Sequence, residues 1–142
     1  GISPRMRLDL LVNNFAYRAI TDGFVIVFEG HFKRNYIHVL DVIQAFNLGL
    51  NDEKNFKGEV FNVGLSEANI SKIDLCREIQ SLIPTFTYLE AALGKDPDQR
   101  NYVVSNQKIE NIGFKPAVSL RNGLEELIKG LKMFNYKPFT NL

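Results

Sequence analysis

The chain has 142 residues, 45% hydrophobic and 23% charged, enough to bury a core in one ordinary domain or a portion of a larger one. That composition excludes a disordered tail. Seventeen Lys and Arg against 16 Asp and Glu give a net charge of +1, which supplies no global field for nucleic acid or an anionic membrane. One cysteine, Cys76, excludes an internal disulfide framework and a cysteine-based zinc site. Two histidines, His31 and His38, are too few for a histidine metal cluster. No apolar run has the length of a bilayer span, and Gly1 to Arg7 carries no signal-peptide apolar region. A soluble, cytoplasmic α/β protein is expected, with neither nucleic acid nor membrane as partner. The opening Gly1-Ile2-Ser3-Pro4-Arg5 is loop-like and lacks a Met start, as expected of a cut within a longer reading frame.

The elements follow in chain order. Leu8, Leu11, Val12, Phe15, Ala16 and Ala19 recur at helical spacing, which predicts a helix over about 7–21 ended by Asp22-Gly23. Residues 24–28 read as a short buried strand and 29–33 as a loop. Residues 34–39 read as extended, and Asp41 stands near the start of a second helix expected to bury Val42, Ile43 and Phe46. After a polar loop at 51–57, residues 60–63 are a strand candidate closed by Gly64. Ser71 and Asp74 approximate a capping box, with Ile70 and Leu75 as its hydrophobic staple. Leu75, Cys76, Ile79, Leu82 and Ile83 then form a buried stripe that Pro84 terminates. Residues 85–89 are strand-like, 91–101 irregular and 102–104 a short strand. Ser105 is placed to cap a helix through Ile112, stopped by Gly113. Ser119 is placed to cap a last helix with Leu120, Leu124, Leu127, Ile128 and Leu131 inward. Strands alternate with helices, which favours an α/β unit whose few short strands leave sheet edges open.

Several chemistries are missing. The glycines form no G-x-G-x-x-G dinucleotide loop, no phosphate-binding G-x-x-x-x-G-K-[ST] and no G-x-S-x-G elbow. No Tyr is followed four positions later by Lys, so a Tyr-x-x-x-Lys proton-transfer pair is absent. No residue stands out as a general base or nucleophile.

Two segments carry candidate binding chemistry. In His31-Phe32-Lys33-Arg34-Asn35-Tyr36-Ile37-His38, two cations follow Gly30. Arg34 is the better phosphate ligand, because its planar fork binds two oxygens at once. A solvated basic pair beside a strand has the same spacing. In Lys95-Asp96-Pro97-Asp98-Gln99-Arg100-Asn101-Tyr102, carboxylates and cations share a Pro-ordered turn. An Asp there can accept from ribose hydroxyls and an Arg can hold phosphate, or the two can simply pair. His38 in its apolar run reads as a packed histidine with satisfied nitrogens, and Cys76 as inert core. Asn62 and Gly64 read as a strand-end turn.

Taken together these segments resemble the C-terminal portion of the extended short-chain dehydrogenase/reductases, the NAD-dependent sugar-nucleotide epimerases and dehydratases. Gly1-Ile2-Ser3-Pro4-Arg5-Met6-Arg7 looks like the stretch after that family's Tyr-Gly loop. Gly30 with Arg34-Asn35-Tyr36-Ile37-His38-Val39-Leu40-Asp41-Val42 is similar to its Gly…Arg-Asp-Tyr-x-His-Val-x-Asp-Val signature. Gly58-Glu59-Val60-Phe61-Asn62-Val63-Gly64 looks like its strand and Asn-x-Gly turn. Ser105-Asn106-Gln107-Lys108-Ile109, then Gly113-Phe114-Lys115-Pro116, resembles its Asp-x-x-Lys…Leu-Gly-x-x-Pro ending. Asn35 and Ser105 stand where Asp is commoner.

The resemblance implies a Rossmann-type α/β fold. Residues 1–142 would be the substrate-binding lobe with the last sheet elements, and the dinucleotide-binding half and catalytic Tyr-x-x-x-Lys would lie upstream. It implies that Arg34 contacts a nucleotide diphosphate, and that Asp98 and Arg100 contact ribose or phosphate, with Lys95 as the alternative cation of that loop. It implies NAD or NADP, a nucleotide-sugar substrate and a homodimer for the intact protein, with cofactor site and dimer helices outside this stretch. The rival reading is a non-catalytic nucleotide-sugar-binding or interaction module.

Overall fold

The computed structural model describes residues 1–3, 6–92, 94 and 100–134. It is an α/β arrangement. Helix α1 (Leu11–Thr21) leads into strand β1 (Phe24–Val27), and β2 (Lys33–Asn35) precedes α2 (Val39–Asn51) and the short α3 (Glu53–Phe56). Strand β3 (Asn69–Ser71) runs straight into α4 (Lys72–Leu82), followed by β4 (Thr87–Glu90), α5 (Gln107–Glu110) and α6 (Leu120–Met133). Strands β1 and β4 pair in parallel, from Phe24 opposite Thr87 to Val27 opposite Glu90. Strands β2 and β3 pair antiparallel, with Arg34 opposite Ile70.

Helix α1 lies at the centre, packed on α6, α4 and β1. Its Phe15 and Ala19 join Val25, Val27, Leu75, Cys76, Ile79, Phe86 and Leu124 in the main core. Its Ala16 joins Met6, Leu8, Leu127, Ile128 and Leu131 in a second cluster. A third, smaller cluster gathers Ala45, Ile109 and Phe114 under α2 and α5.

Local grammar decides two of the helices. Ser71 caps α4 by accepting from Asp74 N–H while the Asp74 carboxylate accepts from Ser71 N–H, a complete capping box. Ser119 caps α6 by accepting from Asn122 N–H, and Leu124, Leu127, Ile128 and Leu131 are buried as expected while Leu120 is half-buried.

Other expectations are corrected. Helix α1 begins at Leu11, not near Arg7. The Asn13 and Asn14 side chains donate to the carbonyls of Arg7 and Leu8, which holds those residues in a turn. Helix α2 starts at Val39 with His38 as its cap, two residues before Asp41. It buries Asp41 and Ala45, while Ile43 and Phe46 are exposed and Val42 is half-buried. The Asp41 carboxylate fixes that face inward, because it accepts from Ala117 and Val118 N–H at 2.8 and 3.2 Å. Residues 60–63 and 102–104 form no strand of their own. Helix α5 is a single turn that follows Asn106, which makes no side-chain cap bond, in place of the expected helix capped by Ser105 and running through Ile112. In β1 only Val25 and Val27 are buried; Phe24 and Ile26 face outward.

Candidate functional site

A cleft of about 680 Å³ opens where β2 ends, between the starts of α1, α2 and α6. Arg34, Arg100 and Tyr102 line it together with Tyr36 and His38. Leu10, Leu11 and Val12 from the start of α1 and Leu120 and Leu124 from α6 supply apolar wall.

Backbone pairing brings the two arginines into one site. Tyr102 N–H donates to Lys33 O at 3.3 Å, and Lys33 N–H donates to Asn101 Oδ1 at 2.9 Å. Just beyond, the Asn69 side chain donates to Val104 O at 2.9 Å and accepts from Val104 N–H at 2.8 Å. Residues 100–104 therefore run alongside β2 and β3, held by two asparagine side chains in place of a full ladder. The Arg34 guanidinium carbon then lies 5.4 Å from the centre of the Tyr102 ring, within cation–π range. Arg34 is only 7% exposed, and one of its guanidinium nitrogens donates to Lys33 O at 2.9 Å. A buried, oriented guanidinium has little entropy left to lose on gripping an anion.

Asn35 is fixed on the other side of the strand. Its side-chain amide donates to Leu65 O at 2.7 Å, and a Cβ on Gly64 would collide with its oxygen. Gly64 is thus required by close approach, which refines the expected strand-end turn. Asn62 donates to Ser105 O at 3.2 Å. The Tyr36 hydroxyl is buried with no hydrogen-bond partner among the described residues, and burial pushes its pKa up. At the rim, Arg7 donates to both carboxylate oxygens of Asp9, Nε to Oδ1 at 2.8 Å, which holds the Asp9 carboxyl below its usual range.

His38 is the packed histidine the sequence suggests, with both ring nitrogens engaged. Cys76 is fully buried, and burial pushes its thiol up to about 12. Of the residues expected to bind, Arg34 and Arg100 share the cleft; Lys95 and Asp98 lie outside the described residues. Sequence reading did not single out Tyr36 or the Arg7–Asp9 pair; Tyr36, two residues from Arg34, lies on the same face of an extended chain, which was the available signal.

Among the described residues, the passage from β3 into α4 offers no cradle for a dinucleotide pyrophosphate. Such a pyrophosphate needs a helix N-terminus reached through a Gly-rich turn from a strand. Here β3 passes into α4 without such a turn, and the α4 N-terminus is already occupied by Ser71 and the Asp74 carboxylate. No cluster of three metal-type ligands occurs among the described residues.

No protein-family profile matches the sequence. An uncharacterized protein of Schizosaccharomyces pombe is 24% identical over 86% of this chain and 39% of its own length. Among solved structures, UDP-glucuronic acid 4-epimerase from Bacillus cereus, in complex with UDP-glucuronic acid and NAD, superposes with a TM-score of 0.70 at 23% identity, covering 93% of this chain and 42% of that chain. An NAD-dependent NDP-hexosamine 5,6-dehydratase of tunicamycin biosynthesis superposes with a TM-score of 0.76 at 15% identity, covering 94% and 44%. The chain thus spans less than half the length of these matched proteins. Over that span it has the Rossmann-like α/β fold of the NAD-dependent sugar-nucleotide epimerases and dehydratases.

Proposed function

We propose that the cleft holds the diphosphate of a nucleotide sugar, and that residues 1–142 are the substrate-binding portion of an NAD- or NADP-dependent epimerase or dehydratase. The observation that carries this reading is the meeting of Arg34 and Arg100, distant in sequence, in one cleft beside Tyr102. Two guanidiniums suit two linked phosphates, because each can offer a planar pair of donors. The apolar wall suits a base or the carbon face of a sugar. Asp98 is assigned to ribose hydroxyls, and Lys95 to phosphate as the alternative to Arg100. The matched solved structures support the reading, since one was determined with UDP-glucuronic acid. The cofactor and the proton-transfer pair belong to the remainder of the intact protein, a cytoplasmic homodimer in this reading.

The test is calorimetric titration with UDP. Losing a charged hydrogen bond costs about 1.5–3 kcal/mol, so Arg34→Ala is expected to weaken UDP binding by roughly ten- to a hundredfold. Arg34→Lys keeps the charge without the fork and is expected to recover only part of the loss. Equal affinities in the three proteins would remove the assignment.

A further inference from the structure

We propose that His38 is a positioning residue of this cleft. Through Glu126 it fixes the Gly1–Ile2 strap on the cleft wall, and so sets how tightly the cleft grips a nucleoside diphosphate. The inference rests on the reading of the cleft as a nucleoside-diphosphate site.

His38 is 6% exposed and stands between β2 and α2, where it acts as the cap of α2. Leu40 N–H donates to its Nδ1 at 3.2 Å. A ring nitrogen that accepts carries no proton, so the neutral ring's proton sits on Nε2. Nε2 then donates to Glu126 Oε2 at 3.1 Å. The other oxygen, Oε1, accepts from Ile2 N–H at 2.9 Å. Glu126 is held as a carboxylate: the Ile2 amide, then the His38 neighbour, keep its carboxyl below the usual range despite some burial. One imidazole therefore joins α2, α6 and the strap.

The geometry leaves no slack for a substitute. A Cβ on Gly1 would collide with His38 Nε2 and Cε1, and one on Gly123 would lie 3.3 Å from Cδ2. Gly1, His38 and Gly123 all line the cleft that Arg34 and Arg100 share. Three residues separate Arg34 from His38 along one extended segment, so the imidazole also anchors the far end of the segment that presents the guanidinium. Asn at position 38 can still cap α2 but is too short to reach Glu126. Gln at position 126 can still accept from Ile2 N–H, but it turns an amide N–H toward Nε2–H. The opposite ring tautomer relieves that clash only by giving up the cap.

The experiment measures UDP affinity by calorimetry for the 142-residue chain and its His38→Asn, Glu126→Gln, double, Arg34→Ala and Ile79→Val forms. The two single variants are expected to lose about fivefold or more, and the double no more than the worse single, because both break one linkage. Ile79→Val, a core truncation at a residue that does not line the cleft, is expected to lower the thermal midpoint and leave affinity unchanged. UDP affinity unchanged in His38→Asn and Glu126→Gln, or losses that multiply in the double variant, would overturn the role of His38. If Arg34→Ala loses binding while the His38 and Glu126 variants do not, the cleft reading stands and only this inference falls. If the unaltered chain binds no UDP, the cleft reading falls and takes the inference with it.

Discussion

Cys76 and Gly64 show how single side chains are committed in this chain. Cys76 sits at zero exposure in the main core, and desolvation of the thiolate keeps the thiol protonated well past neutral pH. The folded chain is expected to resist a disulfide reagent at pH 8 and to react fully once unfolded. Labelling of the native chain within minutes would contradict the burial. Gly64 packs directly on Asn35, whose amide holds Leu65 O beside the strand that carries Arg34. Gly64→Ala forces Asn35 to move, an overpacking expected to cost about 1–3 kcal/mol in a urea titration. UDP affinity should fall with it, since Asn35 and Arg34 are neighbours in β2. A variant as stable as the parent would show that the Asn35 contact has room to yield. The sequence placed Gly64 in a turn, but its true reason is contact with a residue far upstream, which no local pattern encodes.

Helix α4 is the element most fully written in its own residues. The Ser71–Asp74 capping box and the stop at Leu82 before Pro84 are local and form as the sequence predicts, and of the expected stripe Leu75, Cys76 and Ile79 are buried while Leu82 and Ile83 are only half-buried. Ser71→Ala is expected to cost about 1 kcal/mol by urea denaturation, the usual value of a lost cap. The Asp74 carboxyl is held below its usual range, first by the Ser71 hydroxyl and then by its other partners, against some desolvation. A carboxyl with a lowered folded pKa stabilises fully above its ordinary value and loses that contribution as pH falls through the lowered one. Stability measured from pH 6 down to pH 3 should therefore fall less steeply in Asp74→Asn than in the parent. Identical slopes would show that the Asp74 bonds do not persist in solution. Helix α2 marks the opposite case. It is apolar on most sides, so periodicity could not say that Asp41 and Ala45 face inward while Ile43 and Phe46 face out. That choice is made by the Ala117 and Val118 amides, seventy-odd residues away in the chain, when they dock on Asp41. The segment at 100–104 is hidden for the same reason, because Asn69 and Lys33 supply its partners.

At the scale of the whole molecule, the architecture leaves apolar surface open. Strands β1 and β4 are a parallel pair, a pairing that ordinarily has both faces covered. Here Phe24 and Ile26 of β1 and Leu89 of β4 are exposed, and so are Val39, Ile43, Phe46 and Leu50 along α2. The chain spans less than half of the solved proteins sharing its fold. The 142-residue chain is expected to self-associate at raised concentration and to bind an apolar dye while folded. Ile26→Lys with Leu89→Glu should reduce both, measured by light scattering and dye fluorescence. A monodisperse parent chain with no dye binding would show that these faces are covered in solution. The fold class was legible in the alternation of strands and helices. The cleft was legible at Arg34 and Arg100, but its walls come from α1, α2 and α6 and exist only after packing.

The most direct test of the cleft is a proton–nitrogen NMR titration of the 142-residue chain with UDP. The expected result is saturable shifts centred on the Arg34 side chain and on the Arg100, Asn101 and Tyr102 amides, lost in Arg34→Ala. Shifts confined to another surface, or none at millimolar UDP, would contradict a nucleoside-diphosphate site between these two arginines.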